Sequence, residues 1–239
     1  MQLSFAEALR YLNVSETTAR RWIRDRGLPV HQADERLFVN PVELWEWALE
    51  HKVAVSAELL ARAQRSQETV APVSELLAAG GIHYDVPGRD PGGVLHAVVE
   101  RLPLPPFVDR SFLTTALAAR EAMGSTGIGH GIAIPHVRNP ILLQVSAPTI
   151  SLCLLREPVD FNAIDDQPVH TLFAVISPTV PAHLRILAEL SFLLADADLR
   201  SLLAARAPAE QILDRIRVLE ESRRPAPAAH PGPTRGVER

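Results

Sequence analysis

The first fifty residues place apolar side chains at the spacing of short amphipathic helices. Ser4 and Glu7 match a capping box, which predicts that a helix begins after Ser4. One face of this helix carries Phe5, Ala8, Leu9 and Leu12. A second helix is predicted to begin after Ser15 and to end near Arg26, before Gly27. Two short helices at this spacing predict a helix-turn-helix unit.

A small hairpin and a third helix complete the predicted unit. Residues 30–39 favour two short strands that turn at Ala33-Asp34-Glu35, which would form a wing. Asn40 and Pro41 then stand in N-cap and N1 order at the start of the third helix. We expect Leu44, Trp45, Ala48 and Leu49 to close the core, together with Trp22 and Ile23 of the second helix. Residues 1–50 are therefore assigned to one N-terminal domain.

Residues 51–70 and 221–239 lack the pattern of a packed unit. The first segment is rich in Ala, Glu, Arg and Gln with few apolar anchors, which predicts a helical connector and a domain boundary near Ser66. The last segment is rich in Pro, Ala, Gly and Arg, which predicts a disordered tail. The second domain accordingly spans residues 71–220.

Within this second domain, predicted helices alternate with predicted strands. Strands are favoured at residues 82–86, 132–134, 149–155 and 169–177. Helices are predicted to start at or just after Val73, Pro91, Asp109, Pro181, Leu199 and Ala209. A chain of 239 residues is long enough to bury two such cores.

Composition and charge limit the classes of partner. The chain is 47% hydrophobic and 22% charged, as expected for a globular protein, and its net charge of −4 argues against nonspecific binding of polyanions by the whole chain. Cys153, the one cysteine, lies in an apolar run and is interpreted as a buried core thiol. No leader pattern or long hydrophobic span is present, so we expect a cytoplasmic protein without membrane insertion.

The segment from Gly124 to Pro140 places a single histidine at the end of a short apolar run. Its glycines permit tight turns and a close approach of backbone N–H groups to an anion. Residues 132–134 favour a core strand, which Pro135 should end because it has no N–H for the sheet. We therefore expect His136 at the rim of the sheet, within reach of solvent and of a partner.

The sequence S-T-G-I-G-x-G-I-A-I-P-H in this segment resembles the phosphorylation-site signature of the enzyme IIA domain of the phosphotransferase system. The type is that of fructose and mannitol, which includes the nitrogen-regulatory proteins. The later sequence D-F-N-A-I-D-D-Q-P-V resembles the same family. His130 and Val137 stand where Asn and Gly are usual, and this difference bears on partner preference. The resemblance implies an α/β fold, a mixed sheet with helices on both faces.

The resemblance also implies a chemistry. His136 would accept a phosphoryl group through Nε2 from a histidine phosphocarrier protein, while its other ring nitrogen donates a proton to a backbone carbonyl. Arg120 and His183 would stabilise the phosphoryl group, the latter from the first turn of a helix. The hydroxyls of Ser125 or Thr126 would help to position it. We expect no metal ion or cofactor, and no role for His170.

The N-terminal pattern N-V-S-E-T-T-A-R-R-W-I-R, followed by G-L-P-V and a wing, resembles the helix-turn-helix domains of the excisionase and MerR-like family. Such domains place the second helix in the major groove of DNA. The corresponding candidate DNA contacts are Glu16, Thr17, Arg20, Arg21, Arg24 and Arg36. Residues 1–50 hold six Arg against eight acidic residues, so duplex DNA binding would need the positive charge on one face and favours a homodimer.

Four other interpretations remain open at this point. The arginines of the second helix are also typical of a solvated helix face. A zinc hydrolase built from His130, His136 and His183 would lack the usual ligand motifs and leave the glycines unexplained. The second domain is also compatible with a sugar-transport enzyme IIA component, or with a structural or DNA-binding regulator that is never phosphorylated. The fused helix-turn-helix unit favours phosphorylation-dependent regulation of transcription or of a partner protein.

Overall fold

The computed structural model describes residues 3–33, 36–51, 53–56, 70–137, 143 and 145–223. Asp34 and Glu35 of the predicted wing turn, most of the predicted connector with its boundary at Ser66, and the tail from residue 224 lie outside these ranges. None of the helices within them is long and apolar enough to cross a membrane.

Three helices and a small antiparallel sheet form the N-terminal domain. The helices are α1 (Phe5–Leu12), α2 (Glu16–Arg26) and α3 (Pro41–Glu50). The strands are β1 (Leu3–Ser4), β2 (His31–Ala33) and β3 (Arg36–Val39), in the order β1-β3-β2. β1 was not predicted, because two residues carry no strand pattern and this pair is held only by its ladder with β3. The winged helix-turn-helix arrangement is confirmed.

Local capping interactions set the helix ends of this domain. Ser4 and Glu7 form the predicted capping box, in which the Ser4 N–H donates to Glu7 Oε2 at 2.8 Å. Gly27 ends α2 in the left-handed region, at φ 65°. Trp47, which we did not predict in the core, is buried and donates its indole N–H to the carbonyl of Arg26 at 2.8 Å. Its ring packs on that of Trp22, with the centroids 5.2 Å apart.

The second domain is a five-stranded mixed sheet with helices on both faces. Its strands are β4 (Ile82–Val86), β5 (Gly127–Gly129), β6 (Ile132–Ala133), β7 (Thr149–Val159) and β8 (Val169–Ile176), in the order β4-β7-β8-β6-β5. Its helices are α4 (Val73–Gly80), α5 (Pro91–Val99), α6 (Arg110–Glu121), α7 (Val180–Leu194), α8 (Ala197–Ala204) and α9 (Ala209–Arg223). The predicted α/β class is confirmed. β7 is longer than predicted, and α9 continues two residues past Glu221, where we had placed the tail.

The two faces of the sheet bury separate apolar clusters. Helices α5 and α6 cover one face, with Leu95, Leu113 and Leu117 in its cluster. Helices α4, α7, α8 and α9 cover the other face, with Leu77, Leu187 and Ile212 among its buried residues. The core of the N-terminal domain is continuous with this second cluster, and α3 contacts α7. The N-terminal domain therefore packs on the helix that carries His183.

Cys153 lies on β7 and is fully buried, as we predicted. Burial raises the pKa of its thiol to about 12, against a smaller lowering effect of Arg101. At pH 8 only about one thiol in ten thousand would be ionised, and the thiolate is the reactive form. We expect Cys153 not to react with a thiol reagent in the native protein and to react completely in denaturant. Fast labelling of the native protein would contradict the buried position.

Candidate functional site

The glycine-rich segment forms a tight hairpin, β5 to β6, which the sequence pattern did not predict. His130 and Gly131, at its turn, both have positive φ, 56° and 68°. A side chain at Gly131 would meet the His170 ring, since a Cβ there would lie 2.4 Å from His170 Cδ2. A Cβ at Gly127 would lie 2.6 Å from that of Ala163. The glycines therefore let the hairpin pack directly on the start of β8 and on the connection that precedes it.

His136 is buried, and our prediction that it would lie at the rim of the sheet is wrong. Only 4% of the residue is exposed. The chain does not leave the sheet at Pro135, because the Pro135 carbonyl accepts from Val175 N–H at 2.9 Å and His136 forms a parallel bridge with Val175. Pro135 has no N–H to donate to the sheet, but the pairing of this segment with β8 continues through its carbonyl and through His136. His136 thus lies in a pocket beside β8.

A backbone hydrogen bond fixes the protonation of the His136 ring. Nδ1 lies 2.7 Å from the carbonyl oxygen of Ile134. A carbonyl oxygen can only accept, so Nδ1 carries the proton and donates it. In the neutral ring, Nε2 is then the nitrogen with the lone pair. This is the arrangement that we expected around a reactive imidazole.

His183 lies against His136. The centroids of the two rings are 4.9 Å apart, and their planes are inclined by 53°. His183 lies in the first turn of α7, which Thr179 caps by accepting from Ala182 N–H at 3.2 Å. The ring is fully buried, and its Nδ1 is 2.9 Å from Ser177 Oγ. The fold therefore brings together the two histidines that the sequence analysis had paired.

Arg120 and Glu121, at the end of α6, hold the start of the glycine segment. Arg120 donates from Nη1 to the carbonyl of Gly124 at 2.7 Å. Glu121 accepts from Thr126 N–H at 3.0 Å and also from the Thr126 hydroxyl. The Thr126 hydroxyl is therefore engaged with Glu121, whereas we had expected it to contact a ligand. Ser125 Oγ accepts from Gly127 N–H at 2.9 Å, which leaves its own proton for donation.

Four of the candidate residues, Arg120, Ser125, Thr126 and His136, line one pocket, which we call the His136 pocket, whereas His183 contacts the His136 ring without lining the pocket. The volume of the pocket is about 300 Å³. It is lined by Arg120, Ser125, Thr126, Gly127, Ile128, Ile134, His136, Asn162, Ile164, Leu187 and Ser191. Four of these residues, Asn162, Ile164, Leu187 and Ser191, were not predicted from the sequence to belong to the site. Asn162 and Ile164 lie within the D-F-N-A-I-D-D segment that carried the family resemblance, so that segment held a signal for them.

His130 does not line the His136 pocket. It lies at the exposed hairpin turn, where its backbone N–H donates to Asp165 Oδ2 at 2.7 Å. Desolvation raises the pKa of the exposed Asp165 carboxyl, but hydrogen bonds from the backbone N–H groups of His130 and Gln167 outweigh this effect and lower the pKa below its usual value. Within the described ranges, no three His, Cys, Asp or Glu side chains form a group that could hold a metal ion.

A second candidate site is the exposed side of α2, which we call the arginine face. A shallow depression there is lined by Thr17, Thr18, Arg20, Arg21 and Arg24. Glu16 pairs with Arg20 at 2.7 Å, and Asp25 pairs with Arg24 at 2.7 Å, so part of the positive charge is neutralised. The predicted contact Arg36 begins β3 of the wing. The face therefore combines three arginines with adjacent acidic residues.

The comparisons with known proteins agree with both parts of the structure. Residues 75–218 match the family described as "Phosphoenolpyruvate-dependent sugar phosphotransferase system, EIIA 2", and residues 3–52 match a helix-turn-helix domain family. A nitrogen regulatory protein of Pseudomonas aeruginosa is 35% identical over 144 residues, which are 59% of this chain and 91% of that protein.

Two further proteins are similar to this chain, one by sequence and one by structure. A fructose-specific EIIA component of Haloferax volcanii is 36% identical over 44% of this chain and 68% of its own length. The crystal structure of the nitrogen regulatory protein IIA-Ntr from Neisseria meningitidis superimposes with a TM-score of 0.54 at 28% identity. That superposition covers 60% of this chain and 98% of the Neisseria protein.

Proposed function

Because the chain belongs to the EIIA type 2 family of the phosphoenolpyruvate-dependent sugar phosphotransferase system, we propose that its His136 accepts a phosphoryl group from a histidine phosphocarrier protein. The observation that carries the proposal is the His136 ring itself. Its Nδ1 proton is held by the Ile134 carbonyl, and its Nε2 has the lone pair that a nucleophile needs. The ring lines a pocket together with the Arg120 guanidinium, and the imidazole of His183 lies against it.

In the proposed step, Nε2 of His136 attacks the phosphorus atom of the carrier's phosphohistidine. The new N–P bond forms as the old one breaks, and the electron pair of the old bond returns to the carrier's imidazole. No water is consumed, and burial of His136 protects the product from hydrolysis. A loose transition state for this transfer needs positioning and charge stabilisation more than covalent help.

Three groups in or next to the His136 pocket are suited to the phosphoryl oxygens. Arg120 supplies a permanent positive charge and planar N–H donors. His183 supplies an imidazole next to His136, and Ser125 can donate its hydroxyl proton. Glu121 would act indirectly, because its carboxylate accepts from Thr126 N–H and so fixes the loop that carries Ser125 and Thr126. These donors would hold the phosphoryl group without carrying it.

Near the pocket, the protein exposes apolar surface on which the carrier can dock. Ile164 lines the pocket and is 40% exposed, and Met123, which precedes Gly124, is 61% exposed. Exposed apolar side chains at the edge of a pocket are typical of a protein interface. Incubation of the protein with phosphoenolpyruvate, enzyme I and a histidine phosphocarrier tests the proposal. Stoichiometric phosphorylation supports it, and failure to take up phosphate contradicts it.

Replacement of Arg120 or His183 should weaken transfer without moving the phosphorylation site. We expect Arg120→Ala to slow single-turnover transfer by about 100-fold, the usual effect of removing one charge-stabilising donor. Arg120→Lys should recover only part of the rate, because the planar fork is lost. His183→Gln should shorten the lifetime of the phosphoprotein. Rapid-quench kinetics and mapping of the labelled residue provide the measurement, and wild-type kinetics in both variants would remove the two residues from the site.

We further propose that the N-terminal domain binds duplex DNA and responds to the phosphorylation of His136. Two features support this proposal, the match to a helix-turn-helix family and the contact of α3 with α7. α7 carries His183 in its first turn and Leu187 and Ser191 in the His136 pocket. A shift of α7 on phosphorylation would therefore act directly on the surface against which the N-terminal domain packs.

A second candidate function is that of an EIIA component in sugar uptake. It is favoured by the 36% identity to the Haloferax protein, whose name describes a fructose-specific EIIA component. The two functions differ in the acceptor of the phosphoryl group. Mixing the phosphorylated protein with a fructose-type enzyme IIB distinguishes them, since fast transfer supports uptake. Absence of transfer, with DNA binding retained, supports regulation.

A further inference from the structure

Ser177 makes a buried hydrogen bond to one of the two facing histidines. It directly follows β8, and only 1% of it is exposed. Its Oγ lies 2.9 Å from Nδ1 of His183. Among the described parts of the chain, this hydroxyl has no other hydrogen-bond partner. The direction of the Ser177–His183 hydrogen bond therefore decides whether the hydroxyl proton of Ser177 has an acceptor.

The hydroxyl can either donate to Nδ1 or accept from it. If it accepted, its own proton would be buried without an acceptor, and an unsatisfied buried donor is costly. If it donates, both atoms are satisfied and Nδ1 must be unprotonated. A neutral His183 then carries its proton on Nε2. The buried position of Ser177 thus favours the arrangement in which its hydroxyl donates to Nδ1 of His183.

We infer that Ser177 is a positioning residue, which fixes the tautomer of His183 so that Nε2 is the donor toward a phosphoryl group on His136. The two rings consequently hold opposite tautomers. His136 keeps its proton on Nδ1, through Ile134, and presents the lone pair of Nε2. His183 keeps its lone pair on Nδ1 and presents the Nε2 proton. The part of this inference that concerns the phosphoryl group rests on the proposed function.

Nitrogen NMR of the imidazole rings in the unphosphorylated protein tests the tautomer directly. We expect His183 Nδ1 to resonate as an unprotonated nitrogen and Nε2 as a protonated one. Ser177→Ala should convert His183 to a mixture of tautomers, and Ser177→Thr, which keeps the hydroxyl, should restore the wild-type pattern. A protonated Nδ1 in the wild-type protein would overturn the inference before any variant is made.

Kinetics then test the consequence for transfer. Ser177→Ala should shorten the phosphohistidine lifetime or slow transfer by about tenfold, the effect of weakening one hydrogen bond to a charged group. The matched control is Ser151→Ala, which removes another buried hydroxyl, bonded to the Gly80 carbonyl at 2.6 Å outside the His136 pocket. Equal kinetic losses in the two variants would overturn the positioning role.

The two measurements separate this inference from the proposed function. The tautomer of His183 is observed without any phosphate donor. If the protein is never phosphorylated but the predicted tautomer is present and depends on Ser177, the proposed function fails while the positioning of His183 stands. If the protein is phosphorylated and Ser177→Ala changes neither the tautomer of His183 nor the phosphohistidine lifetime, the proposed function stands and the positioning role of Ser177 fails.

Discussion

His136→Ala should abolish phosphorylation of the protein by phosphoenolpyruvate, enzyme I and a histidine phosphocarrier, a loss of at least about 1,000-fold. The physical reason is that His136 supplies the nitrogen that forms the N–P bond, so the variant lacks the nucleophile. Label on the wild-type protein should be labile in acid and stable in base, as expected of a phosphohistidine. The measurement is incorporation of radioactive phosphate followed by peptide mapping.

His130→Asn is the matched control for this experiment. His130 belongs to the same glycine segment but lies at the hairpin turn with φ 56°, a conformation that Asn tolerates well. We expect this variant to be labelled like the wild-type protein. Undiminished labelling of His136→Ala would show that another residue carries the phosphoryl group. Label on His183 in the wild-type protein would exchange the roles of the two histidines.

Replacement of arginines on the arginine face should weaken the binding of duplex DNA steeply. We expect each of Arg20→Ala, Arg21→Ala and Arg24→Ala to lower affinity by about tenfold at low salt. Each change should also reduce the slope of log affinity against log salt by about 0.9, because one phosphate contact and its released counterion are lost. The triple variant should not bind detectably. Salt-dependent titration with fluorescent duplex DNA measures both quantities.

Arg217→Ala is a suitable control, since Arg217 lies on α9 in the second domain and pairs there with Asp214. It should leave DNA affinity and salt slope unchanged. Wild-type affinity in the triple variant would exclude the arginine face, and absence of DNA binding at low salt, even by an artificially dimerised chain, would indicate a protein-interaction domain instead.

The same titration with phosphorylated protein tests the proposed regulation. A phosphoryl group adds about two negative charges, but screening limits their direct reach to about 8 Å at physiological salt. We therefore expect any change in DNA affinity to depend on the packing of α3 against α7. Equal affinity of the two forms would contradict coupling between the domains.

Much of the fold could be predicted because it depends on interactions between near neighbours in sequence. Capping by Ser4, Ser15 and Asp109 and the left-handed end at Gly27 are local, and they placed the helices within a few residues. Strand β1 and hairpin strand β5 were missed for the opposite reason. Each is very short and is defined by its partner strand rather than by its own pattern.

The sequence by itself also predicted the chemistry that we propose for the candidate site. The signature around His136, together with Arg120 and His183, was sufficient to predict a phosphoryl acceptor and its two stabilising groups. The residue types that this chemistry requires can be recognised in the sequence without knowing the distances between them.

The tertiary structure decided where these groups lie and what they can do. It buried His136, because pairing with Val175 continues past Pro135. It placed Ser177 at the end of β8 beside His183, engaged Thr126 with Glu121, and brought Asn162 to the pocket. The pairing of His136 with Val175 and the approach of Asn162 to the pocket join segments far apart in the chain, and the packing of the sheet sets the distances between them. The Ser177–His183 and Thr126–Glu121 contacts span only six and five residues, but they depend on the turn that follows each element. No local pattern of apolar and polar residues encodes such distances.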